Sequence, residues 1–168
     1  MKVLITGVSG TGKSTIVKAL REKGIVALDF ADFPELCSWR NKETKERVGF
    51  PPSPDLAWFD VNGRYCDIKM LKELLDQHKD VVVGGVASAN HAEYFGLFDK
   101  VILLQCDPKT VMSRMQTRPS VWDKSKSVQE QAVDWQKEFD PELLACGAIP
   151  INAEEGVDEI VEKIIALI

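Results

Sequence analysis

An eight-residue run, Gly7-Val8-Ser9-Gly10-Thr11-Gly12-Lys13-Ser14, constrains this chain more than any other feature. It matches G-x-x-x-x-G-K-[ST] and follows Lys2 to Thr6, a short apolar run that reads as a buried strand. After it, Ile16, Val17 and Leu20 recur at the spacing of one helical face, and Gly24 supplies a stop. Strand, glycine-rich turn and helix, in that order, form the context the pattern requires. Glycines let the backbone curl so that successive N–H groups point inward at phosphate oxygens. The helix that follows adds its positive N-terminal end. Lys13 can then reach the β- and γ-phosphates of a nucleotide, and the Ser14 hydroxyl can ligate Mg²⁺. The phosphate-binding candidates are Gly7, Ser9, Gly10, Thr11, Gly12, Lys13, Ser14 and Thr15.

Further along, Ile25 to Leu28, Val81 to Val83, Val101 to Leu104 and Ala148 to Ile151 read as four more strands. Pro150 suits the last of them to an edge. Helical stripes lie between them: Ile68, Leu71, Leu74 and Leu75; Val128, Ala132, Trp135 and Phe139; and Val157, Ile160, Val161, Ile164 and Ile165. Asp107-Pro108 and Asp140-Pro141 each offer an N-cap with proline at the first helical position. Continuous apolar strands alternating with amphipathic helices predict an α/β fold, a parallel sheet covered on both faces. The 168 residues correspond to one domain at roughly 100–200 residues per domain.

Composition narrows the function. Aspartate and glutamate total 26 against 21 lysines and arginines, a net charge of −5 that argues against a nucleic-acid polymer as partner. Residues 127–168 hold ten acidic and two basic residues, so the acidity gathers on the C-terminal helices, away from the anion-binding loop. No run reaches the ~18 apolar residues of a membrane span. Cys37, Cys66, Cys106 and Cys146 show no metal-ligand spacing and read as four reduced thiols of a cytoplasmic protein. An N-K-x-D guanine motif is missing, since Asn41-Lys42 continues as Glu43-Thr44. The third strand ends in Gly84-Gly85 with no acid after it, which argues against a motor-type ATPase.

Arg114 and Arg118, spaced i, i+4 after the fourth strand, precede Pro119 and a polar stretch. Arginines placed there suit a lid that closes over ATP and neutralises a transferring phosphoryl group. With the loop at residues 7–14 and the strand exit Val101 to Pro108, this pair makes the chain resemble the nucleoside and nucleotide kinase-like P-loop family. Adenylate, cytidylate, shikimate and gluconate kinases belong to it. The resemblance spans nearly the whole chain. It implies a three-layer α/β/α fold with a five-stranded parallel sheet of order 2-3-1-4-5. ATP would lie on the loop with Mg²⁺ as cofactor, under a lid over about residues 114–127. The turn at Asn152 and Ala153 would pass near adenine.

The acceptor side is less uniform. Asp29 and Asp32 follow the second strand, where family members place acids that orient an acceptor hydroxyl or hold Mg²⁺ through water. Asp32 also reads as an N-cap with Glu35 three residues on. Residues 30–65 form an insertion with four of the eight prolines and seven of the thirteen aromatics. Within it Trp39, Arg40, Trp58 and Arg64 offer either a stacking platform with phosphate partners or a satellite core. Gly84 and Gly85 resemble the backbone that lies against a small acceptor in shikimate kinase, though a third glycine and a D-x-D after the second strand are missing. Ser88 and Asn90 can bind an acceptor or shape a turn, and Trp122 falls in the expected lid.

These residues predict an ATP-dependent kinase, a monomer or homodimer, acting on a nucleoside or nucleotide. Lys13, Arg114, Arg118, Asp29 and Asp32 are its catalytic candidates. A shikimate- or gluconate-like small-acid kinase is the nearest alternative. A regulatory or assembly protein that binds ATP with little turnover is the alternative of another class.

Overall fold

The computed structural model describes residues 1–118 and 125–168. Its main sheet has five parallel strands: β1 (Lys2–Thr6), β2 (Ala27–Asp29), β5 (Val81–Gly84), β6 (Lys100–Gln105) and β7 (Ile149–Asn152). They lie in the order β2-β5-β1-β6-β7, which is the expected 2-3-1-4-5 when these five are counted along the chain. A second sheet is an antiparallel pair, β3 (Cys37–Asn41) with β4 (Asn62–Cys66). The helices are α1 (Lys13–Glu22), α2 (Leu56–Val61), α3 (Ile68–Asp76), α4 (His91–Phe95), α5 (Pro108–Thr117), α6 (Lys126–Ala145) and α7 (Val157–Ile165). Single 3₁₀ turns occupy Phe30–Asp32 and Ser88–Asn90.

Alternation along β1 accounts for the layers. Val3 and Ile5 point to one face, where they meet Ile16, Val17 and Leu20 of α1, Val111 and Met115 of α5, and Val161 and Ile164 of α7. Leu4 points to the other and meets Phe30, Leu36, Leu71, Leu75 and Tyr94. A parallel strand so covered must be apolar on both faces, which is why Val3 to Thr6 is an unbroken buried run. Each fully buried aliphatic side chain contributes roughly 1.5–3 kcal/mol relative to exposure. The second strand starts two residues later than expected. The Ile25 N–H still bonds back to the Leu20 carbonyl at 3.0 Å, and Val26 is 48% exposed.

Parallel strands place all five carboxyl ends on one edge. Gly7 follows β1 there, Phe30 follows β2, Gly85 follows β5, Cys106 follows β6 and Ala153 follows β7. Asp107 caps α5 by accepting from the Lys109 N–H at 2.8 Å, with Pro108 in the first turn. No helix among the described residues is long and apolar enough to cross a membrane.

Asp140-Pro141 does not begin a helix. α6 runs through it with Pro141 inside. Pro141 removes one intrahelical N–H, and Asp140 is drawn inward instead of capping. It is 7% exposed, and its Oδ2 accepts from Gln105 Nε2 at 3.0 Å. Burial pushes the Asp140 carboxyl above its ordinary range, while the Gln105 and Gln136 amides oppose the shift. Asp140 Oδ1 and Gln136 Oε1 are, with Thr6 Oγ1, the side-chain atoms among the described residues that are buried without a hydrogen-bond partner.

A raised folded-state pKa means that the folded chain binds this proton more tightly than the unfolded one. The resulting cost is absent below the unfolded carboxyl value and grows as pH rises through the folded one. Asp140→Asn should therefore stabilise the protein at neutral pH by about 1 kcal/mol, since it removes a buried charge yet keeps a hydrogen-bonding group. The gain should vanish at acid pH. Urea unfolding of both proteins at neutral and acid pH checks this, and a variant less stable at neutral pH would contradict it.

Candidate functional site

The glycine run departs from β1 as a tight curl. Gly10 has φ +89°, a left-handed conformation that disfavours any side chain. A Cβ there would also lie 2.9 Å from the Val111 carbonyl, so the loop is wedged against α5. Thr11 pins the turn from inside, its hydroxyl donating to the Val8 carbonyl at 2.9 Å. Lys13 opens α1 and folds back over the loop, where its Nζ donates to the Gly7 and Val8 carbonyls at 2.7 Å each. Its ammonium thus stands at the centre of the curl. Desolvation there, with the charges of Arg118 and Arg64, pushes Lys13 down to about 7, while Asp29 and Cys106 pull the other way. An anion entering the curl would favour the charged form.

Two cavities open beside the loop. The first, about 330 Å³, lies between the loop, α5 and α7, and its lining includes Gly10, Gly12, Thr15, Ile16, Ala153, Val157 and Ile160. Arg114 and Arg118 border it as well. Arg114 is anchored, its Nη2 donating to the Ala153 carbonyl at 2.9 Å. Asn152 shapes the turn below by accepting from the Glu154 N–H at 3.0 Å and does not line the cavity. The aliphatic wall of Ile16, Val157 and Ile160 opposite two guanidinium groups suits a planar apolar body with anionic substituents.

The second cavity, about 170 Å³, is lined by Lys13 with Ser9, Ser14, Asp29, Phe30, Ala31, Arg64, Gly85, Val86 and Arg118. A carboxylate from the end of β2 and a guanidinium from β4 therefore share one space beside the loop. Arg118 is the residue common to the two linings. The expected i, i+4 helical pair is not quite what forms. Arg114 sits in the last turn of α5, whereas Arg118 follows the helix in extended conformation (ψ 149°). That departure is what lets one arginine border both cavities.

Other residues expected at the acceptor side go elsewhere. Asp32 pairs with Arg21 at 2.6 Å, a hydrogen bond that holds its carboxyl below the usual range. It does not act as the N-cap either. Asp29 caps the 3₁₀ turn by accepting from Ala31 N–H at 2.9 Å, and Asp32 reaches back to the Asp29 N–H at 3.4 Å. Trp39 and Trp58 pack on each other at 4.9 Å and join Phe50, Phe59 and Trp135 in a cluster of five rings. Arg40 donates to the Ser38 hydroxyl at 3.1 Å. Asn90 brackets Cys66, accepting from its N–H at 2.8 Å and donating to its carbonyl at 2.9 Å. Ser88 lines a separate cavity of about 180 Å³ with Lys42 and Trp135. Gly84 lets α1 approach, because a Cβ would meet Val17 Cγ2 at 2.5 Å. Of the expected lid, residues 119–124, Trp122 among them, lie outside the described residues.

Sequence reasoning missed Phe30, Ala31 and Val86 on the second cavity and Ile16, Glu155, Val157 and Ile160 on the first. Most of these are ordinary core-type residues; only their place at the carboxyl edge gives them a role.

The donors present suit a hard divalent cation. The Ser14 hydroxyl is exposed in the first turn of α1, and Asp29 lies across the same cavity. Among the described residues no three His, Cys, Asp or Glu side chains gather as a metal cluster. A cation here would rest on Ser14, phosphate oxygens and water, which is the shell Mg²⁺ favours.

Comparison with known proteins decides the family. The family model described as AAA domain, of the P-loop kinase type, matches residues 3–136. The chain belongs to that family. A UPF0200 protein of Pyrococcus abyssi is 30% identical over 143 residues, 73% of each chain. Among solved structures, shikimate kinase from Bacteroides thetaiotaomicron superposes with a TM-score of 0.62 at 18% identity, covering 99% of this chain and 97% of its own. A deoxyadenosine kinase from M. mycoides with bound dATP gives 0.56 at 15% identity, covering 99% and 98%. At such identities these two neighbours speak for the fold alone. This P-loop kinase fold carries the site at its carboxyl edge.

Gly85 offers a direct probe of the second cavity. A Cβ there would stand 2.2 Å from Phe30 Cγ, so Gly85→Ala must push the Phe30 ring aside. The expected result is a loss of about 1–3 kcal/mol in stability, read by thermal or urea unfolding. Gly96→Ala, which meets nothing within 4 Å, serves as the control.

Proposed function

We propose that this chain is an ATP-dependent phosphotransferase that moves the γ-phosphoryl group of Mg-ATP to a small acceptor, a nucleoside or nucleotide first. One observation carries the reading: two cavities are lined by the phosphate loop and the start of α1, and Arg118 borders both. A donor nucleotide on the Ala153 side and an acceptor on the Asp29 side would then face each other across the phosphate loop. That is the arrangement direct transfer needs.

In this reading the loop amides and Lys13 hold the phosphates. Arg114, anchored on Ala153, and Arg118 balance the charge that spreads over the moving group. Asp29 accepts a hydrogen bond from the acceptor hydroxyl and orients it, while Arg64 opposite binds an anionic group of the acceptor. Phe30 and Gly85 close the wall against water. When bound, Mg²⁺ on Ser14 would supply charge neutralisation between the outer phosphates. Asp32, committed to Arg21, is left with a structural role.

A small-acid acceptor is the second reading, favoured by the modest 170 Å³ of the Asp29 cavity and by its single arginine from the hairpin, Arg64. ATP binding with little turnover, as in a regulator, is the reading of another class. A panel of nucleosides, nucleoside monophosphates and hydroxy acids, incubated with Mg-ATP and scored by ADP release and product mass, separates the three. Acceptor-dependent ADP release supports a kinase and names its acceptor; tight ATP binding with none across the panel supports the regulator.

Lys13→Ala should lower phosphotransfer by at least ~10²–10³-fold, the effect of losing one preorganised charge in a transition-state site. Its unfolding midpoint should stay close to that of the parent. Retention of full activity would remove the assignment.

A further inference from the structure

Cys37 and Cys66, far apart in the chain, are direct cross-strand partners in β3 and β4. The Asp67 N–H donates to the Leu36 carbonyl at 2.8 Å beside them, while the Cys66 N–H and carbonyl both turn outward to the Asn90 side chain. Ladder hydrogen bonds therefore flank this pair and do not join it. In such a non-hydrogen-bonded antiparallel pair the Cα atoms stand ~4.5 Å apart and the side chains are closest. That spacing lies inside the ~4.4–6.8 Å that a disulfide spans. Both thiols are free; Cys37 is half-buried and Cys66 is 4% exposed.

The surroundings distinguish the two sulfurs. Cys66 Sγ donates to the Asp67 carbonyl at 3.8 Å, and the nearness of Cys66 together with the Arg64 guanidinium holds the Cys37 thiol below its ordinary value. The neighbouring Cys37, then burial, drives the Cys66 thiol upward, with Asp67 at the head of α3 adding to the rise. Tyr94 of α4 faces the pair, and its own hydroxyl is raised by burial. One sulfur is thereby fitted to attack and its neighbour to follow.

We propose that Cys37 and Cys66 form a dithiol modification site that reacts with small-molecule disulfides and closes a reversible Cys37–Cys66 bond. The Cys37 thiolate attacks one sulfur of the incoming disulfide, forming a mixed disulfide and releasing one thiolate. Cys66 then gives up its proton and attacks the Cys37 sulfur, expelling the second thiolate. In sum the two protein thiols are oxidised to one disulfide and the reagent is reduced to two thiols. Arg64 lies two residues before Cys66, on the same face of β4, and lines the 170 Å³ cavity. Closing the bond removes the thiolate that its guanidinium faces, so the state of the dithiol reaches the cavity through that one arginine.

The full chain, treated with oxidised glutathione without denaturant and then analysed by mass spectrometry, tests this. The expected product is a peptide cross-link between Cys37 and Cys66, lighter by two hydrogen atoms and reversed by dithiothreitol. Exposed Cys146 carries a glutathione adduct under the same conditions and acts as the internal reference. Separate adducts on Cys37 and Cys66, or no change at either once Cys146 is modified, would overturn the proposal. So would a cross-link that forms only in urea. For the link to Arg64, alkylation by iodoacetamide across pH should place the Cys37 midpoint below the ordinary range of a free thiol. Arg64→Gln should move it upward; an unchanged profile would remove Arg64 from the site. None of these readouts depends on phosphotransfer.

Discussion

β1 is the member on which everything else in this molecule leans. It is hydrogen-bonded along both edges, to β5 and to β6, and buried on both faces from Val3 to Thr6. A strand so confined can release its chain only at its end, and Gly7 begins the curl at that point. The loop that follows inherits the rigidity of the strand. Wedged against α5 at Gly10 and pinned by Thr11 within, it presents Lys13 in one place. Because β2, β5, β6 and β7 run the same way, their exits line the same edge, two on either side of that place. Functional residues on a rigid edge need little ordering when a ligand arrives, which reduces the cost of binding.

Much of this was legible in the order of residues because the signals were local. Apolar runs of four or five residues between helical stripes specify parallel strands, and G-x-x-x-x-G-K-[ST] requires its strand and helix immediately beside it. Asp107-Pro108 marked the start of α5 for the same reason. What sequence could not convey was pairing at a distance. β3 and β4 alternate weakly and lie twenty residues apart, so nothing local announces that Trp39 faces Arg64 or that Cys37 faces Cys66. Asp140-Pro141 carried a true local signal for a helix start, yet burial of the carboxylate against Gln105 overrode it. Asp32 likewise depended on a partner eleven residues away, Arg21, whose approach no pattern predicts.

Arg118 shows how a small local departure matters. Had α5 continued one residue further, both arginines would have shared one helical face beside the first cavity. The helix stops at Thr117, whose hydroxyl bonds back to the Arg114 carbonyl at 2.9 Å, and Arg118 takes extended backbone before Pro119. A residue preceding proline is biased away from helical conformation. The sequence Arg118-Pro119 thus has a consequence for chemistry: it turns a second arginine from one compartment toward the wall between two.

The aromatic insertion can be understood in the same terms. Five rings, Trp39, Phe50, Trp58, Phe59 and Trp135, tie the hairpin and α2 to the middle of α6, with centroid separations of 4.9–6.3 Å. Such clusters are satellite cores, and their energy comes from burial and edge-to-face contact. Their position gives them a further effect. Trp39 occupies the cross-strand pair directly opposite Arg64, so the cluster sets the attitude of the strand that delivers this guanidinium to the Asp29 cavity. Packing and specificity are therefore not competing explanations for residues 30–65. Trp39 of the ring cluster, Arg64 and the two cysteines share one face of the hairpin, and Arg64 is what that face delivers to the cavity.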